Sequence, residues 1–351
     1  MIQISFCFPP SVPPTLETIA KRCGVSKVTV SLALRGSPRI SKAMRARVAE
    51  VSKELGYVPN PMVSALMTSL RSNRKSKFIC NLAFITAFPD RRGWRENPSF
   101  LRYHVGAKAR ALSIGYGMEV YWMGEKENYG PELSKFMSNR GVLGLLLAPL
   151  PEYGAKLGLR WGSFSTVAFG HTFHEVPSHR VTNSQFHTIF LALEECLARG
   201  HRRIGLAMPK FVNEKVGARW LAGYLGWQSI HPQETKITPL IVDELDETAF
   251  VAWIRKEKPD AVIANHGPVL TWLRTNGWRV PEDISFIHLN WTPEKGEISG
   301  PNQQPEEIGS AAVDLLVEEI NQNRRGVPTT PKTITLESKW HEGTTCPTRP
   351  R

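Results

Sequence analysis

Acidic residues are nearly missing from the first 77 positions of this 351-residue chain, which hold 3 Asp+Glu against 13 Lys+Arg. The other 274 residues hold 29 against 31, so almost all of the net charge of +12 sits on one fifth of the length. A uniformly basic protein would suggest only solubility or loose surface adhesion, whereas an excess confined to one small segment is the footprint of a phosphate-binding surface. Cysteine is scarce: Cys7, Cys23, Cys80, Cys196 and Cys346 are odd in number and scattered, without CxxC or paired histidines. That excludes a disulfide framework and a zinc site and leaves free thiols, mostly buried. Long apolar runs are absent as well. No stretch approaches the roughly 18–20 residues of a membrane helix. The opening MIQISFCFPPSVP lacks Lys, Arg and a small-residue cleavage site, so it reads as an untethered arm (1–14) rather than a signal peptide, and the protein is expected to be cytoplasmic. Catalytic motifs are missing too. There is no GxxxxGK, HExxH or GxSxG, GYG at 115–117 precedes a strand instead of following one, and His201 in RGHRRIG reads as a helix-end residue. No catalytic residue, cofactor or metal is expected.

What is present begins at residue 15. Thr15 is placed to cap a helix from Leu16 to about Arg22, with Glu17 at the positive end of the helix dipole. Gly24 can take the left-handed conformation of a sharp turn, and Ser26 caps a second helix to about Arg35. Ala20 lets the two helices cross closely while Val30 fills the space between them. A small residue, a glycine and an apolar residue at these spacings make a helix-turn-helix. From Ser41 a third helix carries Met44, Val48, Val51 and Leu55 as one apolar stripe, with Gly56 as its stop. On such a module the second helix meets the major groove, which puts Lys27, Val28, Ser31 and Leu32 at base edges and Arg35 at the far end. Lys27 and Arg35 are the polar readers, Val28 and Leu32 suit thymine methyls, and Ser26, Thr29 and Ser41 suit phosphates. Thr15, Leu16, Arg39, Tyr57 and Asn60 complete the candidate DNA contacts.

Through VSKVTVSLALRG, RISKAMRARV and ELGYVPN the sequence resembles the lactose/galactose repressor (LacI/GalR) family of bacterial transcription regulators. The resemblance implies a head over 15–58 and a hinge helix and linker over 59–77, with Leu66 as a wedge for the minor groove. A helix from Pro61 to about Ser69 is too short to persist alone, so pairing of two subunits on DNA must stabilise it. Leu32 departs from the family, which often has a base-reading Arg there.

Beyond the basic linker RSNRKSK, β-rich runs (FICNLAFI, MEVYWM, VLGLLLA, TVAFG, RIGLAM, TPLIV, AVIAN, ISFIHLN, TITLE) alternate with helical patterns such as 99–113, 184–199, 246–256 and 306–322. That repetition gives parallel sheets covered on both faces, and the strand count suits two of them. The expected fold is α/β: an all-helical helix-turn-helix head on a periplasmic-binding-protein-like core of two doubly wound parallel-sheet subdomains. By resemblance the core spans 78–343. Its first subdomain takes about 78–177 and 304–325, its second about 178–303 and 326–343, and 344–351 is a tail. Ligands of parallel sheets lie beyond the carboxyl ends of the strands, which singles out Thr86, Phe88, Asn265, His266, Asn290 and Trp291. Asn265 stands where the family commonly has a ligand-contacting Asn, and Asn290 where it has an Asp that binds sugar hydroxyls. His266 and Trp291 replace polar or acidic neighbours. The frequent Arg of an RxxG pattern is displaced, leaving Trp220 three residues before Gly223 and Arg219 four before. Arg102, early in the first core helix, is a further candidate. The resemblance thus implies an aromatic, weakly acidic pocket for a carbohydrate effector, in which Trp291 stacks on a sugar ring. Operator DNA and a second copy of the chain are the expected partners; KWHEGTTCPTRPR, from Lys339, has no heptad for a tetramer.

Overall fold

The computed structural model describes residues 15–34, 37, 39–57, 80–124 and 129–348. Arg35, Asn60, Leu66, the expected hinge helix and the linker lie outside the described residues. The chain forms two compact units, one up to Ser64 and one from Ala65.

In the first unit α1 (Leu16–Cys23), α2 (Lys27–Leu34) and α3 (Lys42–Glu54) enclose Ile19, Ala20, Val30 and Val48. Met44, Val51 and Leu55 pack half-buried against them. Thr15 and Thr18 cap each other's backbone N–H groups, a capping box that secures the start of α1. Gly24 ends that helix at φ +69°. Ser41 Oγ accepts from Met44 N at 3.3 Å and starts α3.

The second unit holds two parallel sheets. In the first the order is β11 (Thr333–Leu336), β5 (His179–Asn183), β4 (Ser165–Phe169), β3 (Val142–Leu147), β1 (Asn81–Thr86), β2 (Gly117–Trp122). The second runs β7 (Leu240–Val242), β6 (Ile204–Pro209), β8 (Ala261–Ala264), β9 (Ser285–His288). An antiparallel ribbon joins β10 (Gly300–Asn302) to β12 (Lys339–His341). The near-continuous apolar runs of β1, β3, β6 and β8 reflect burial on both faces. On one face of the first sheet Ile85, Leu145 and Leu147 meet Leu133 and Met137 of α5 (Gly130–Asn139). The other face is covered by α4 (Pro98–Ser113) and α11 (Pro305–Asn321), which cross backbone to backbone. A Cβ on Gly106 would lie 1.9 Å from Glu306 O, and one on Gly309 2.2 Å from Tyr103 O. In the second sheet Leu206 and Met208 face α6 (Gln185–Ala198) and α8 (Arg219–Ile230). Ala207, Val262 and Phe286 face α9 (Glu247–Glu257) and α10 (Val269–Thr275), and a short α7 (Lys210–Glu214) follows β6.

Two boundaries differ from expectation. Residues 179–183 and the strand in TITLE, both expected in the second subdomain, pair with each other in the first sheet, Ile334 opposite Val181. HRVTN has one aliphatic residue and shows no strand pattern, and a strand's own residues do not say which partner it takes. The segment set apart as a tail is folded through Cys346: Phe286 N donates to Thr345 O at 2.8 Å and Cys346 N to Ser299 Oγ at 3.1 Å. The chain therefore passes between subdomains three times, near Ser184, Gln304 and Ser338. Hydrogen bonds tie these crossovers together: Ser184 N to Leu336 O at 2.7 Å, Gln304 Nε2 to Glu337 O at 2.5 Å, and the Thr188 and Ser338 hydroxyls at 2.6 Å. Gln304 holds φ +54°, a strained conformation for a side chain of its kind. Cys23, Cys80, Cys196 and Cys346 are free and buried; Cys7 lies outside the described residues. No helix among the described residues is long and apolar enough to cross a membrane.

Candidate nucleic-acid interface and ligand cleft

In the helical head, burying Val30 and Ala33 turns the opposite face of α2 outward. Val28 is 67% exposed, an apolar side chain presented to solvent at the start of the helix. Thr29, Ser31 and Leu32 are half-buried. Ser26 Oγ is used as a cap, accepting from Thr29 N at 3.1 Å. Lys27, expected as a base reader, pairs with Glu17 at 2.7 Å, and Lys27 is the main reason the Glu17 carboxyl is held below its usual range. Glu17 thus keeps two lysines, Lys21 and Lys27, on the outer surface. Arg39 is exposed, Leu16 packs against the head core, and Tyr57 does the same while donating its N–H to Ser52 O at 2.9 Å.

In the core, the carboxyl ends of both sheets converge on a cavity of about 320 Å³. Asn183 from the end of β5, Asn265 after β8 and Asn290 after β9 supply amides, and Phe100, Tyr103 and Trp220 supply rings. Asn290 Nδ2 donates to Ser99 Oγ at 2.9 Å, joining the second subdomain to the N-terminal turn of α4 in the first. The backbone N–H of Asn290 donates to His288 Nδ1 at 3.1 Å. Burial pushes His288 down to about 3, so this ring stays neutral and keeps its acceptor. Gln303 is anchored by donating to Leu289 O at 2.9 Å, and Gln185 donates to both Thr182 and Asn183. Lys215 is the charged residue on the wall, its ammonium 5.2 Å from the Phe211 ring centroid and its pKa lowered by burial.

Of the residues singled out in the sequence, Trp220, Asn265 and Asn290 line this cavity and six stand elsewhere. Thr86 is buried at the end of β1. Phe88 packs on Phe100 with centroids 6.1 Å apart. Arg102 pairs with Glu294 at 2.7 Å and Glu306 at 2.5 Å, a clasp outside the cavity. His266 packs on Trp272. Trp291 is not part of the cavity wall: it bridges Asn302 of β10, which pairs with β12, and its ring stacks on that of His341 at 3.7 Å. Arg219 lines a neighbouring cavity instead. The sequence reading passed over Asn183, Gln185 and Gln303. The strand-end rule would have found Asn183 had HRVTN been taken as a strand.

Sealed beneath the C-terminal segment, Cys346 Sγ lies 3.7 Å from His201 Nε2, and His201 Nδ1 3.6 Å from Asp260 Oδ1. Cys346 and His201 have no exposed surface. Among the described residues no cluster of His, Cys, Asp and Glu could hold a metal ion.

Residues 15–60 match the model of bacterial regulatory proteins of the lacI family, and residues 193–346 that of the periplasmic binding protein-like domain. The chain thus carries the head of lacI-family regulatory proteins and a periplasmic binding protein-like core. The regulator is 24% identical over 347 residues to the NTD biosynthesis operon regulator NtdR of Bacillus subtilis (strain 168), covering 93% of this chain and 99% of that one. Two solved structures share its fold. The transcriptional regulator CelR-cellobiose complex has a TM-score of 0.55 at 23% identity over 95% of this chain and 99% of that one. The lac repressor dimer bound to operator and the anti-inducer ONPF has a TM-score of 0.56 at 18% identity over 96% of this chain and all of that one. This DNA-binding transcription regulator therefore combines a reading head with a ligand-binding type of core.

Proposed function

We propose that the regulator is a repressor that binds a two-fold operator as a homodimer and changes its operator affinity when a small carbohydrate occupies the cleft. The Ser99–Asn290 bridge carries this reading, because it makes cleft closure depend on the same amide that a hydroxylated ligand would engage. Asn183, Asn265, Asn290 and the ring of Trp220 form the ligand set, in keeping with a cleft that supplies amides and an aromatic face. Base edges are read by Lys27, Val28, Ser31, Leu32 and Arg35, while Thr15, Leu16, Ser26, Thr29, Arg39, Ser41, Tyr57 and Asn60 serve the backbone. Leu66 wedges the minor groove. Leu101, Val105 and Leu112 stand exposed on α4 at spacings of four and seven, an apolar face suited to a second copy. The chain works without a catalytic step, a reading supported by the full burial of Cys346 and His201. A screen of neutral and acidic sugars by scanning fluorimetry identifies the ligand. Calorimetry with and without operator then tests the coupling, since operator must change ligand affinity by the same factor as ligand changes operator affinity. Equal ligand affinity in both states, or unchanged binding in Asn290→Ala, refutes the reading.

A further inference from the structure

A second cavity, of about 580 Å³, adjoins the cleft and shares His171 and Gln185 with it. Two guanidinium groups line it from opposite subdomains: Arg180 on β5 and Arg219 at the start of α8. Among the described residues neither forms an ion pair. Arg180 donates to Gly170 O at 2.8 Å and Phe173 O at 3.3 Å, and Arg219 to Val216 O at 2.5 Å, so both are oriented by backbone carbonyls and not by an acidic side chain of the described residues. The remaining wall is made of hydroxyls, imidazoles, an amide, the Phe186 ring and Gly217, with no carboxylate among the described residues. The cleft itself is also free of carboxylates there, and its charged wall residue, Lys215, is again a cation. Burial and the charge of Arg219 hold Arg180 below its usual range, and burial with both arginines pushes His171 down to about 4. The two arginines thus create a positive field that disfavours further positive charge, His171 included, and that an anion would relieve.

We propose that this cavity is an anion subsite, holding the phosphate or carboxylate group of an acidic sugar between Arg180 and Arg219 while the neutral part of the sugar lies among the cleft amides. This rests on the reading of the cleft as the ligand site. Because the two arginines belong to different subdomains, the anion cancels their repulsion and draws the subdomains together. A bidentate guanidinium suits either oxyanion. Arg219 is exposed, and its replacement leaves the packed core untouched.

The test is calorimetry on the full chain with inorganic phosphate, and with matched pairs of probes: glucose 6-phosphate against glucose, and galacturonate against galactose. Phosphate should bind, and Arg219→Gln should weaken it by about tenfold or more, as expected for loss of one charge-assisted partner. Arg180→Gln, checked for folding by circular dichroism, should act in the same direction. The acidic member of one pair should bind more tightly than its neutral partner, and the pair that responds separates phosphate ester from carboxylate. Absence of phosphate binding, or equal affinity in Arg219→Gln and the parent, overturns the subsite. Neutral sugars that bind as well as acidic ones, are lost in Asn290→Ala and ignore Arg219→Gln would leave the cleft reading standing and remove this proposal. Phosphate binding through Arg219 with no sugar bound would do the reverse.

Discussion

Replacing Gly309 by alanine tests whether the first subdomain depends on direct backbone contact between α4 and α11. By helix propensity alone the change should stabilise α11 by about 1 kcal/mol. The new Cβ, however, would stand 2.2 Å from the carbonyl oxygen of Tyr103 and 2.7 Å from the backbone nitrogen of Ala107. A carbon and a carbonyl oxygen approach no closer than about 3.2 Å in ordinary packing, so α4 would have to withdraw by roughly 1 Å. Neither obstacle is the end of a flexible side chain that could swing aside. Withdrawal loosens the contact between two helices that bury Tyr103, Ala107 and Ala111 on α4 and Ile308, Ala312 and Val313 on α11. Overpacking of this kind costs about 3 kcal/mol, leaving a net loss of about 2 kcal/mol and a melting temperature lower by roughly 4–8 °C. Gly226→Ala in α8 is the control. Its Cβ would meet nothing within 4 Å, so propensity acts alone and the protein should melt at the same temperature or slightly higher. Urea unfolding and scanning calorimetry of both variants decide the matter. A Gly309→Ala protein as stable as the parent would show that the helices can separate without loss.

Three further outcomes are expected. Glu17→Gln should release Lys27 and remove a negative charge from the DNA-facing surface, tightening operator binding roughly threefold at low salt with the gain fading as salt rises; fluorescence anisotropy showing weaker binding would contradict this. His288 is held at about 3 in the folded protein against 6.5 unfolded, so the unfolded chain alone takes up its proton below pH 6.5 and stability falls as pH drops through that window. In His288→Gln the slope of stability against pH between 6 and 4 should be shallower by about 1.4 kcal/mol per pH unit, and an unaltered slope would mean that His288 titrates normally when folded. Arg102 and Glu294 should show a coupling energy below about 1 kcal/mol in a double-mutant cycle, because the carboxylate is more than half exposed; a coupling several times larger would mean the clasp is shielded from water.

The head was legible almost residue by residue because its structure is local. Caps at Thr15, Ser26 and Ser41 and glycines at 24 and 56 each act within one turn of the helix they bound, and the stripe from Met44 to Leu55 repeats at helical spacing. The strands of the core were legible as apolar runs. Their assignment to sheets was not, since β5 shows only Val181 as an apolar signal and β11 is named by its partner rather than its composition. The cleft was half legible. Asn265 and Asn290 follow strongly patterned strands and fall where the strand-end rule puts them, whereas Trp291 obeys the same rule and is turned away by His341, which arrives from 50 residues further along the chain. Arg102 and Arg219 looked alike as candidates. What separates them is whether a carboxylate waits within reach, and Glu294 and Glu306 come to Arg102 from distant sequence.

The triple passage of the chain between subdomains also sets the order in which the protein can be made. The first sheet cannot be finished until β11 emerges from the ribosome, and the face covered by α11 stays open until residues 305–321 are synthesised. The second subdomain, apart from its closing segment at 339–346, is translated before the first is complete. During that interval β5 presents an unpaired edge and the sheet an uncovered apolar face, the kind of surface on which nascent chains aggregate or recruit chaperones. Truncations between residues 184 and 336 should therefore yield insoluble protein rather than a shorter working regulator.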